Sequence, residues 1–158
     1  MICLDDAALT ELIRQAEASP RLRSHRLLHS GHDDQVQRLA IALRRGTYVR
    51  PHVHSAQWEM LILLRGAADV LSFTPEGGLT ERTALSHDRT HVIQISPGQV
   101  HGAFALQDET VVIEVKPGPY RANEFMDWAP VEGSADAGAF VDWSTGAAPG
   151  TSRRPASA

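Results

Sequence analysis

Three side chains within a run of eight residues carry the clearest chemistry of this chain: His52, His54 and Glu59. The two histidines stand one residue apart, and the glutamate follows after four intervening residues, all inside GTYVRPHVHSAQWEMLILLRG, residues 46–66. Residues separated by one position project from the same face of an extended strand, because side chains alternate with period two. A short turn at Ser55 to Trp58 brings Glu59 back beside them at the start of the next strand. Two imidazoles and a carboxylate aimed at one point are ligands for a borderline divalent metal. The flanking glycines, Gly46 and Gly66, and a further histidine downstream weigh against a chance pairing of strand histidines with a surface glutamate.

Such a site needs strands to present it, and the sequence supplies them. Gln37 to Leu43 alternates, with Leu39, Ile41 and Leu43 on one face and Arg38, Ala40 and Ala42 on the other. Thr47 to His54 extends again, and Pro51 there excludes a helix. Further strands are expected at Glu59 to Leu64, Ala68 to Phe73, Leu79 to Leu85, His91 to Ile95, His101 to Leu106 and Thr110 to Lys116. Turn residues separate them: Gly66, Pro75-Glu76-Gly77-Gly78 and Pro97-Gly98. Short strands at hairpin spacing, with no alternating helices, predict an all-β antiparallel sandwich or barrel and not a parallel α/β sheet. One helix is expected before them, at Asp5 to Ala18, capped by Asp5 or Asp6 and stopped by Ser19-Pro20, with Leu9, Leu12, Ile13 and Ala16 on one face.

The organisation read from this is residues 1–34 as the helix and a connecting arm, 35–132 as the barrel with an aromatic closing segment, and 133–158 as a disordered or loosely docked tail. The arm carries Arg21, Arg23 and Arg26 with His25, His29 and His32, and reads as a solvated connection or as a basic arm over a ligand. Composition bounds the rest. A chain of 158 residues with 42% apolar content makes one domain with a real core. A net charge of −4 gives no electrostatic footprint for nucleic acid or an acidic membrane. Cys3 alone forms no internal disulfide, no secretory signal is visible, and Met60 to Leu64 is too short an apolar run to span a bilayer. A cytoplasmic protein follows as the expectation.

The arrangement of Gly46, His52, His54, Glu59 and Gly66 matches the first cupin motif, G(X)5HXH(X)3,4E(X)6G, at every specified position. The second motif, G(X)5PXGXXH(X)3N, is met in part: Gly98 and His101 align, while Thr90, Ser96 and Ala105 replace its first glycine, its proline and its asparagine. The chain therefore resembles the cupin superfamily. From about Ser19 to Val131 it is similar to one branch, the WbuC-like cupin-fold metalloproteins associated with O-antigen (lipopolysaccharide) gene clusters. The similar segments are SPRLR, Leu28-His29, the QVQRL run, TYVRPHVH, and the GPY and WAP segments at Gly118 to Tyr120 and Trp128 to Pro130. The resemblance implies a cupin double-stranded β-helix, a jelly-roll barrel, with His52, His54, Glu59 and His101 as metal ligands. Three imidazoles and a carboxylate suit Fe, Mn, Ni, Cu or Zn, and leave an open position for a ligand.

Beside that site, Tyr48 and Arg50 lie at even spacing upstream of His52, and an unbroken strand places both on the ligand face. Arg38 stands among alanines and needs an anionic partner, either a substrate carboxylate or phosphate or Glu114 on another strand. Tyr48, Arg38 and Arg50 are thus the candidate substrate-binding residues. His25, His29, His32, His87 and His91 read as surface or capping histidines. Three functions compete: a metal-dependent enzyme, oxidoreductase (dioxygenase) or isomerase, acting on a small polar molecule such as a sugar or sugar-derived acid; a non-catalytic metal-dependent binding or sensor module; and a metal-free nucleotide-sugar epimerase-like protein. The expected partner is a small molecule, with neither nucleic acid nor membrane, and the Leu39, Ile41 and Leu43 face offers a homodimer contact unless it packs within the monomer.

Overall fold

Helix α1, Asp6–Ala18, begins where its cap predicts: the Asp5 carboxylate accepts a hydrogen bond from the Ala8 amide at 2.9 Å. In the computed structural model, which describes residues 1–153, ten strands follow. They are β1 Arg23–Leu27, β2 Val36–Leu43, β3 His52–Val53, β4 Glu59–Arg65, β5 Ala68–Phe73, β6 Leu79–Leu85, β7 Val92–Ile95, β8 Val100–Ala105, β9 Thr110–Pro117 and β10 Glu124–Phe125. A second helix, α2, spans Ala135–Gly146. The strands make two antiparallel five-stranded sheets, in the orders β1-β2-β9-β4-β7 and β10-β3-β8-β5-β6.

Alternation assigns the two faces of the central strands to different cores. Ile41, Leu43, Leu61, Leu63, Val70, Leu85, Ile95 and Val112 pack together between the sheets. The opposite face of β2 gives Ala40 and Ala42 to a second core, where Leu9, Leu12 and Ala16 of α1 cover the first sheet. Small residues there let the helix approach the strands closely. The outward face of β5 and β8 gives Leu71, Phe73, Val100 and Phe104 to a third core, closed by Tyr48 and by Phe140 of α2. Strand β5 is therefore buried on both faces along its whole length.

Gly66 links β4 to β5 with φ of 75°, and a Cβ there would lie 2.7 Å from Thr110 Cα. Both the left-handed backbone and the close approach of β9 demand glycine at this position.

Three elements differ from the sequence reading. The arm expected within residues 1–34 contains β1, an edge strand of the first sheet. Its exposed sequence, RSHRL, buries too little apolar surface to show a strand period. The segment expected as a tail from residue 133 contains α2, held down by buried Phe140 and Val141. The remainder of that expectation, residues 154–158, lies outside the described residues. The Leu39, Ile41 and Leu43 face packs inside the barrel with the inter-sheet core, so it is not available as a dimer contact. No helix of the described residues is long and apolar enough to cross a membrane.

Candidate metal centre

The four residues of the two motifs meet at one end of the barrel interior. His52 on β3 lies directly opposite His101 on β8 in the strand register, and their ring centroids are 4.4 Å apart. Glu59 opens β4 on the facing sheet, and His54 stands just beyond β3, its carbonyl accepting from the Gly98 amide at 2.9 Å. The positive φ of Gly98 turns the chain into β8 at this point. One donor atom from each of His52, His54, Glu59 and His101 falls within 4.8 Å of the others, and all four residues are buried.

Backbone carbonyls set the protonation of two rings. His52 Nδ1 lies 2.9 Å from the Arg50 carbonyl, and His101 Nδ1 lies 2.9 Å from the Gln99 carbonyl. A carbonyl only accepts, so each Nδ1 carries a hydrogen and each Nε2 is turned to the centre. The buried His101 Nε2 has no hydrogen-bond partner and sits 3.7 Å from Glu59 Oε2. His54 Nε2 approaches the same carboxylate oxygen at 2.7 Å. Burial, with His101 adding to it, holds the His52 imidazole down to about 3, so it is neutral at ordinary pH. Burial opposes ionisation of Glu59, but contacts from His101 and His54 outweigh it and keep the carboxyl well below its usual range. Two inward-turned Nε2 atoms, that of His101 buried without a partner, beside His54 and the ionised Glu59 carboxylate, are a donor set that fits a divalent transition ion.

A cavity of about 170 Å³ opens from this centre. His52, Glu59 and His101 line its inner end, and Ile41, Leu43, Leu61, Leu85 and Val112 make apolar walls. Glu114 of β9 also faces it, in an ion pair at 2.8 Å with Lys116, whose side chain is almost wholly buried. At the mouth stand Arg21, Arg23, His25, Arg50, Asn123, Phe125 and Glu132.

The candidate substrate residues separate. Arg50 lines the cavity, its Nε donating to the Ala129 carbonyl at 3.1 Å and Nη2 to the Met126 carbonyl at 2.9 Å. Tyr48 does not: residues 47–51 leave the strand conformation, and its ring enters the core beside Phe140 while its hydroxyl donates to the Pro130 carbonyl at 2.9 Å. Arg38 is half-exposed on the outer surface, with Asp34 at 4.0 Å as its carboxylate neighbour, because Ala40 and Ala42 face α1 and not the barrel. Glu114 pairs with Lys116 instead of Arg38.

Sequence reasoning gave Glu114 only as a partner for Arg38, passed over Lys116, placed Arg23 only in a basic arm, and passed over Glu132. A signal existed for Glu114 and Lys116, since they share the parity of the inward-facing Val112 on β9. Arg23 and His25, two apart on β1, both reach the cavity as a strand period would place them.

Two facing antiparallel sheets that carry this cluster between them define a cupin, a double-stranded β-helix with a site that could hold a metal ion. Solved structures agree on the fold. The chain is similar to an uncharacterized conserved protein with a double-stranded β-helix domain from Klebsiella pneumoniae, with 17% identity, 80% of this chain and 98% of that chain covered, and a TM-score of 0.57. It is similar to KdgF from Halomonas sp., with 21% identity, 65% and 84% covered, and a TM-score of 0.51. Oxalate oxidase in complex with the substrate analogue glycolate is similar at 16% identity, with 68% of this chain and 57% of that chain covered, and a TM-score of 0.51. No curated protein matches the chain. The model of a family described as a domain of unknown function, DUF6016, matches residues 4–85, just over half of the sequence, and the chain belongs to that family.

Proposed function

We propose that this protein is a metal-binding cupin that takes a small polar molecule into the barrel cavity, with His52, His54, Glu59 and His101 holding one divalent ion of Fe, Mn, Ni, Cu or Zn. One observation carries the reading: two histidines have their Nε2 atoms turned inward by backbone carbonyls, and that of His101 is buried without a partner. The bound ion would supply Lewis acidity to a carbonyl or hydroxyl oxygen of the ligand. The chain's own groups do the remainder. The apolar walls exclude water, Arg50 orients the ligand, and Glu114 is the carboxyl on the cavity wall placed to take or return a proton. Burial pushes that carboxyl up despite Lys116 alongside.

The WbuC-like segments support a narrower version, in which a cytoplasmic enzyme, an oxidoreductase or isomerase, acts on a sugar or sugar-derived acid of surface-polysaccharide metabolism. The placement of Tyr48 in the core disfavours the metal-free epimerase-like alternative, which needs a tyrosine beside the substrate. Metal analysis of natively purified protein tests the central claim. A stoichiometric ion lost in His52→Ala and Glu59→Ala is expected, and a wild-type chain that takes up no ion after reconstitution refutes it. Turnover of a sugar panel then separates enzyme from binding module: tight binding without turnover favours the module.

A further inference from the structure

The mouth of the cavity carries more positive charge than the chain itself balances. Arg21 and Arg23 share a single carboxylate, that of Glu132, at 3.0 and 2.6 Å. The Arg23 side chain is nearly buried there, and it also donates to the Tyr48 carbonyl at 2.9 Å. Arg50 has no carboxylate partner among the described residues. Its guanidinium is fixed by the two carbonyls of Ala129 and Met126 and by the Phe125 ring, whose centroid lies 5.3 Å away. Backbone carbonyls orient a guanidinium without cancelling its charge. A half-buried cation held this firmly, facing a cavity and lacking a counterion, is a site waiting for an anion.

The donors left on Arg50 are those of Nη1 and the second N–H of Nη2, a planar two-pronged edge that matches a carboxylate. Glu132 stands at the same mouth, and its carboxylate disfavours the second charge of a phosphate dianion. The cavity of about 170 Å³ has roughly the room of six water molecules, so the ligand is a compact acid and not a nucleotide.

We propose that the protein binds a small organic carboxylate, whose acid group pairs with Arg50 at the mouth while a hydroxyl or carbonyl oxygen of the same molecule reaches the metal centre. This names the substrate class for the metal-centre reading and rests on it. Arg21 and Arg23, tied to Glu132, shape the entrance beside that pair.

The test is calorimetric titration of the full-length, zinc-reconstituted chain with lactate and glycerate, their neutral counterparts 1,2-propanediol and glycerol, and inorganic phosphate. An acid is expected to bind, its neutral counterpart about tenfold more weakly or worse, and Arg50→Gln to weaken the acid by about tenfold to a hundredfold. Zinc content should stay unchanged in that variant, Arg50→Lys should fall between, and Arg14→Gln on the far surface of α1 should bind as the wild type does. Failure of both acids to bind, diols that match the acids, phosphate that binds more tightly than either, or Arg50→Gln that binds as the wild type does would each overturn the proposal. If Arg50→Gln does not fold, the acid-against-diol comparison and Arg50→Lys decide. If the wild type takes up no zinc, the metal reading fails on that measurement alone. The acid titration is then read on metal-free protein, where loss in Arg50→Gln supports the carboxylate site and equal binding overturns it.

Discussion

Replacing Phe140 with alanine tests whether helix α2 is an integral part of this fold. The side chain is 1% exposed and occupies the centre of an aromatic cluster. Its ring centroid lies 5.2 Å from Trp143, 5.7 Å from Tyr48 and 6.3 Å from each of Phe73, Phe104 and Trp128. Truncation of a buried phenylalanine costs about 3–5 kcal/mol through lost burial and the cavity left behind. Five rings in contact place this site towards the upper part of that range, because they cannot all collapse into the space. For a chain of this length each kcal/mol moves Tm by about 2–4 °C, so a fall of about 10 °C or more is expected. Scanning calorimetry measures the shift, and metal analysis of the same sample should find the ion retained, since the four cluster residues lie outside the aromatic core around Phe140. A fall of only about 1–2 °C, within the range of ordinary surface substitutions, would show that α2 is not docked as described.

Three further outcomes can be checked. Addition of the cognate divalent ion at about a hundredfold above its Kd should stabilise the wild type by about 2.7 kcal/mol, read as a Tm gain of about 5–10 °C that His101→Ala lacks. Burial raises the Tyr48 phenol above its usual value of about 10, so the folded state favours the neutral form. The stability this contributes is complete below about pH 10 and is lost as pH rises through the folded-state value; denaturant titration should show an alkaline decline that Tyr48→Phe reduces, at a cost of about 1 kcal/mol at neutral pH for the hydrogen bond to Pro130. Glu114→Gln should cost about 3–5 kcal/mol by leaving the Lys116 ammonium buried without its partner, and the double variant Glu114→Leu, Lys116→Met should recover most of that in urea unfolding.

The parts of the molecule legible in the sequence are those where one physical signal dominates. Strand β2 was readable from its period of two, β5 and β6 from the turn glycines beside them, and α1 because its cap and stop are local. His52, His54, Glu59 and His101 were readable as a set through motif spacing. What was hidden depends on partners distant in sequence. Strand β1 exists through backbone pairing with β2 and has little apolar pattern of its own. Helix α2, rich in Gly and Ala, takes its stability from rings contributed by strands more than thirty residues away. Arg38 misled because Ala40 and Ala42 suit a narrow pocket and a tightly packed helix equally well. Tyr48 misled because parity counts only along an unbroken strand, and the chain is irregular before Pro51.

The contact of Arg21 and Arg23 with Glu132 ties the segment entering β1 to the segment preceding α2 at the cavity entrance. The metal cluster draws only on residues 52–101, while the rim draws on residues 21–25 and 123–132 together with Arg50. The rim and the histidine–glutamate cluster therefore come largely from different stretches of sequence, which meet at Arg50. A substitution in either rim stretch reshapes the entrance while the four-residue cluster is left in place. The same division makes residues 21–25 and 123–132 the place to alter the doorway without touching the four cluster residues.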